Sequence, residues 1–63
     1  FDGAIQDYSQ VLKINPKDSD AFFNRANVKK EIEDMKGACE DWRTAADLGD
    51  EEATNSLKQF CNL

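Results

Sequence analysis

Apolar residues recur along the chain at helical spacing, in four runs separated by turn-forming residues. In the first run Phe1, Ala4, Ile5, Tyr8, Val11 and Leu12 fall on one face of a helix, and Asp7, Gln10 and Lys13 lie off it. Pro16 closes that run, because proline restrains the residue before it and brings no N–H to a continuing helix. A second helix is expected from Ser19 to about Ile32, capped by Asp18 or Ser19. Asp20 adds negative charge to its first turn, and Phe22, Phe23, Ala26, Val28 and Ile32 are its apolar positions. Asp34 is the next capping residue. Behind it come Met35, Ala38, Cys39, Trp42, Ala45, Ala46 and Leu48, and Gly49 stops the run. Asp50 then opens a fourth helix with Ala53, Leu57, Phe60 and Cys61 as its stripe. No strand alternation is present. The pattern predicts an all-α chain with helices at about 1–14, 19–32, 35–48 and 51–62, packed as successive antiparallel pairs. The expected core is Ala4, Tyr8, Phe22, Ala26, Ile32, Ala38, Trp42, Ala45, Leu57 and Phe60.

The first and third helices repeat one another. Positions 1, 4, 5, 8, 11 and 12 return as 35, 38, 39, 42, 45 and 46, a constant offset of 34. Gly3 returns as Gly37, Ala4 as Ala38, Asp7 as Asp41, Tyr8 as Trp42 and Val11 as Ala45. A small residue followed one turn later by a large aromatic is a packing instruction: alanine lets two helices approach, and the aromatic fills the gap where they diverge.

Two helices per 34-residue unit is the tetratricopeptide period. The segment Gly3–Pro16 resembles the second helix of such a repeat, closing proline included. Asp20–Asn27 resembles the start of the next repeat's first helix, with Phe22 at the early aromatic position and Ala26 at the small one. Lys36–Ala45 resembles that repeat's second helix, and the last helix resembles the capping helix that closes such arrays. The resemblance implies a four-helix right-handed superhelical stack of antiparallel pairs, a fragment of a tetratricopeptide-like α-solenoid. Residues 1–16 would be the second helix of a first repeat, 17–50 a complete repeat and 51–63 the cap, forming one domain. Three positions depart from the family pattern. Arg25 stands in place of an aliphatic residue and Lys29 in place of an aromatic, and both are expected to snorkel, with packed stems and charges in water. Glu33 occupies a turn position where glycine is common, so a positive φ there would strain it. The linker before the fourth helix is also shorter than that before the second, which suits a cap.

Composition adjusts this picture at its edges. The 63 residues allow one small domain, 40% apolar and 33% charged. Phe1–Ile5 carry neither a basic leader region nor an initiator methionine, which reads as a piece of a longer chain. The net charge is −5 and the only adjacent basic pair, Lys29–Lys30, is followed by Glu31 and Glu33. Nucleic acid and anionic membranes are therefore disfavoured as partners, since both require a basic face. With no histidine and two cysteines, a four-ligand zinc site is also disfavoured, and no cofactor is expected.

Catalytic chemistry has little support. Without histidine the commonest general base is missing. Asp7, Glu40 and Asp41 read as acids on solvated helix faces. Cys39 falls where Ile5 stands in the preceding unit and reads as a small interface residue rather than a nucleophile. Tyr8 and Trp42 read as the interhelical aromatics of their units rather than a ligand-stacking pair. Asp47, Asp50, Glu51 and Glu52 lack the alternating ligands and central glycine of a calcium loop, so they read as helix-start charge.

Recognition remains. The family's first helices line a concave face, so the resemblance implies a partner-binding groove on the ridge Asp20, Phe23, Asn24, Asn27 and Lys30. Asparagine amides can both donate to and accept from an extended peptide. Some family members grip a terminal carboxylate with paired Lys, Asn and Arg residues. Asn24 fits one such position, but Phe23 and Asp20 stand where lysines would be, which disfavours that specialised mode. The alternative is structural self-association, a homo-oligomer paired through the first helix, whose apolar face lacks a preceding helix to cover it.

Cys39 and Cys61 form the last candidate pair. A hairpin turning at Gly49–Asp50 places Cys39 beside residue 60, one position from Cys61, and both cysteines lie on apolar stripes. A bond there would close a loop of roughly twenty residues and add about 3 kcal/mol. Plain packing of two small apolar thiols is the other reading.

Overall fold

A computed structural model describes residues 2–61, and these form four helices: α1 (Asp2–Ile14), α2 (Ser19–Glu31), α3 (Met35–Asp47) and α4 (Glu51–Phe60). Phe1 of the expected α1 face lies outside the described residues. Each of the last three helices starts on an aspartate whose carboxylate accepts a first-turn N–H. Asp18 takes that of Ala21 at 3.2 Å, Asp34 that of Gly37 at 3.0 Å and Asp50 that of Glu52 at 3.0 Å. A carboxylate at this place also meets the positive end of the helix dipole.

Two helices end in the same way. After α2 the Glu33 N–H donates to Lys30 O and the Asp34 N–H to Lys29 O, at 3.0 and 2.8 Å. After α3 the Gly49 N–H donates to Ala46 O and the Asp50 N–H to Ala45 O, at 2.9 and 3.1 Å. This paired closure needs a left-handed residue just past the helix. Gly49 supplies it at φ 102°, and Glu33 is forced into it at φ 65°.

Successive helices pack in order, α2 on α1 and on α3, and α4 on α3. The stack is flat, with Cα extents of 29 × 25 × 13 Å, so few side chains can be enclosed. The fully buried cluster is Ala26, Ala38, Trp42, Ala45 and Ala53, four alanines around one indole. Trp42 is the only large side chain buried completely among the described residues. Phe22, Phe23, Met35 and Leu57 pack against this cluster from its rim.

The expected core is therefore corrected at its edges. Ala26, Ala38, Trp42 and Ala45 are fully enclosed, and Phe22 and Leu57 are half-buried on them. Ala4 and Tyr8 are only half-buried. Ile32, just past the end of α2, and Phe60, the last residue of α4, are each 39% exposed. No helix of the described residues is long and apolar enough to cross a membrane.

Candidate functional site

Three helices meet at Arg25. Its Nε and Nη2 donate to the two oxygens of Asp41 on α3, both at 2.8 Å, and its Nη1 donates to Ser9 Oγ on α1 at 3.0 Å. Lys29, one turn further along α2, places its Nζ 3.0 Å from Asp41 Oδ2. Asp41 is buried, 5% exposed, and the fork of a guanidinium matches a carboxylate in two places at once. The hydrogen bond to Asp41 raises the Arg25 pKa above its ordinary value. Burial works the other way, and the Asp41 charge adds to the rise. The pairing with Asp41 therefore favours the charged form of Arg25.

This geometry corrects two expectations. Asp7 and Glu40 are on solvated helix faces, but Asp41 is not. Arg25 and Lys29 do not hold their charges out in water; both turn them onto Asp41. A signal for this was present in the sequence, where two cations one turn apart occupy apolar positions of the α2 stripe while a repeated acid occupies α3.

The expected ridge lies on α2 as a helical row. Asp20 and Asn24 are exposed, and Phe23, Asn27 and Lys30 are half-buried. Phe23 rests against the core with part of its ring accessible. Lys30 is drawn to α4: its Nζ stands 4.5 Å from the centre of the Phe60 ring, and that ring stacks on Trp42 at 5.4 Å and 19° between planes. Ammonium, phenyl and indole thus form one column linking α2, α4 and α3, with a cation–π contact at its outer end. The column engages Lys30 and leaves Asp20, Phe23, Asn24 and Asn27 as the open part of the row.

On another part of the surface, a disulfide joins Cys39 of α3 to Cys61 at the end of α4, with 6.1 Å between Cα atoms. A shallow cavity of about 270 Å³ lies beside it, lined by Lys36, Cys39, Glu40, Arg43 and Cys61. The sequence alone did not point to this cavity, whose lining comes from α3 and from Cys61 just past α4. Among the described residues no cluster of three or more His, Cys, Asp or Glu side chains could hold a metal ion.

A family model described as the TPR repeat matches residues 1–33, just over half of the chain. No curated protein and no solved structure matches at a significant level.

Proposed function

Because the chain belongs to the tetratricopeptide repeat family, whose repeats generally mediate protein–protein interaction, we propose that it is a non-catalytic interaction module that receives an extended peptide along α2. The observation that carries this is the open row of Asp20, Phe23, Asn24 and Asn27 on α2, a helix that Arg25 ties to α1 and α3. A ligand backbone presents alternating donors and acceptors, and the carboxamides of Asn24 and Asn27, one turn apart, can answer both. Phe23 offers an apolar contact beside them, and Asp20 favours a basic residue on the ligand. The unit serving this role is the repeat of residues 17–50, with 1–16 and 51–63 flanking it on either side.

A preformed row spares the ligand complex the cost of ordering the receptor. The test is a peptide selected from a random display library against the folded chain. Asn24→Ala and Asn27→Ala should each weaken it about five- to tenfold, the value of one hydrogen bond, with helicity unchanged. Unaltered affinity in both variants rejects the groove.

A further inference from the structure

The cavity beside α4 has a disulfide in its wall. Cys39 of α3 and Cys61 just past α4 both line it and both are half-buried, so the bond is neither sealed in the core nor bare on the surface. The rest of the lining, Lys36, Glu40 and Arg43, stands on one side of α3 at steps of three or four positions, and all three are exposed. Neither Lys36 nor Arg43 has an ion-pair partner among the described residues, where the paired cations are Arg25 and Lys29. The chain as a whole carries −5, yet this wall carries two cations and one carboxylate. Its volume of about 270 Å³ falls just under the usual span of small-molecule sites, so its occupant is small.

The two sulfurs are not equivalent. Cys39 lies inside α3, with Lys36 three positions before it and Arg43 four positions after, so both cations share its face of the helix. Cys61 is the C-cap of α4, at the negative end of that helix's dipole. Lys58 stands in the last turn of α4 but does not line the cavity. Negative charge developing on a departing sulfur is therefore held better at Cys39 than at Cys61. An incoming thiolate accordingly takes Cys61, and Cys39 leaves.

We propose that this cavity is a thiol–disulfide exchange site for a small peptide thiol bearing two carboxylates and an ammonium. Lys36 and Arg43 take the carboxylates, and Glu40 takes the ammonium. The ligand's thiol first gives its proton to solvent. Its thiolate then attacks Cys61 Sγ and a new S–S bond forms there. The Cys39–Cys61 bond breaks, and its electron pair leaves on Cys39 Sγ. One disulfide replaces another, so no outside oxidant or reductant is consumed. The product carries the ligand on Cys61 and a thiolate at Cys39 beside Lys36 and Arg43, and α4 is no longer tied to α3. The site shares no residue with the α2 row, so either assignment can fail alone.

Glutathione, which has this charge pattern, is the probe. Mercaptoethanol, which has no carboxylate or ammonium, is the comparison. Products are trapped by alkylation and mapped by mass spectrometry. Glutathione should appear first on Cys61, with the alkyl group on Cys39. Lys36→Glu combined with Arg43→Glu should slow glutathione at least about tenfold more than it slows mercaptoethanol, whose rate reads the loss of leaving-group support alone. Both side chains are exposed, so the oxidised variant should melt within about 2 °C of the original. Salt gives a readout that needs no variant. The overall charge of −5 repels an anionic thiol, and screening that repulsion alone would speed the reaction. Capture by Lys36 and Arg43 predicts the reverse: raising the ionic strength to about 1 M should slow glutathione relative to mercaptoethanol. Four results overturn the proposal: no mixed disulfide, glutathione first on Cys39, equal slowing of both thiols in the charge-reversed variant, or a glutathione rate that rises with salt.

Discussion

Arg25 and Asp41 stand sixteen positions apart on facing helices and meet through two parallel N–H···O contacts of 2.8 Å each. The Asp41 side chain is 7% exposed and that of Arg25 19%, so the pair lies mostly out of water. Removing one partner strands the other charge, and that loss exceeds what the intact pair contributes relative to apolar residues. Asp41→Asn or Asp41→Ala should therefore destabilise the fold by about 3 kcal/mol in urea denaturation. Arg25→Met with Lys29→Met and Asp41→Leu should recover most of it. If the triple variant were as unstable as the single one, the pair would be required for more than charge compensation.

The two left-handed turns should respond in opposite directions to substitution. Glu33 adopts φ 65°, a region that costs a residue with a Cβ roughly 1–2 kcal/mol. Glu33→Gly should raise stability on the order of 0.5–1 kcal/mol, after allowance for glycine's greater freedom when unfolded. Gly49→Ala should lower it by roughly 1 kcal/mol, since Gly49 sits at φ 102°. Thermal melts of the two variants suffice. Shifts of the same sign would mean that φ does not control these turns.

These particulars show what the amino-acid pattern discloses and what it withholds. Caps at Asp34 and Asp50 and the stop at Gly49 follow from local chemistry, the cap of α2 lay open between Asp18 and Ser19, and strain at Glu33 followed from the family pattern if that turn needed a positive φ. The 34-residue offset exposed the stack because it compares the chain with itself. Asp41 was hidden for the opposite reason. Asp7 and Asp41 hold the same place in a repeated Gly-Ala-x-x-Asp pattern, yet Asp7 is exposed and Asp41, which meets Arg25 and Lys29 of α2, is buried. Phe60 and Ile32 stay 39% exposed for a related reason, since an apolar stripe records which face turns inward but not how completely its neighbours cover it. The open row on α2 was legible as a row, whereas the capture of Lys30 by Phe60 depends on the path of α4.

Trp42 separates two contributions to the core. Its side chain is completely enclosed, with alanines around it and Phe60 stacked on it, and its Nε1 has no hydrogen-bond partner among the described residues. Trp42→Ala should cost about 3–5 kcal/mol and largely unfold so small a domain. Trp42→Phe should cost clearly less. It gives up part of the volume but also removes an N–H that lost its water without gaining an acceptor. Circular dichroism and urea midpoints of the two variants measure the ordering. Equal losses would indicate that the indole N–H is satisfied in solution.

The Cys39–Cys61 bond should decide whether α4 stays docked. α4 has ten residues, fewer than the roughly 12–15 an isolated helix needs, so it depends on packing and on this crosslink. The two cysteines are 22 positions apart, and opening a loop of that size should cost about 3 kcal/mol. Alkylation without reductant, read by mass spectrometry, should find no free thiol in the folded chain. A dithiol reductant, or Cys61→Ser, should then lower the melting temperature and speed amide exchange in α4 before the other helices. Because Phe60 covers Trp42, the indole emission should also shift to the red as α4 leaves. Two alkylated thiols in the untreated protein would exclude the bond. A melting temperature indifferent to reductant would show that packing through Ala53 and Leu57 holds α4 without it.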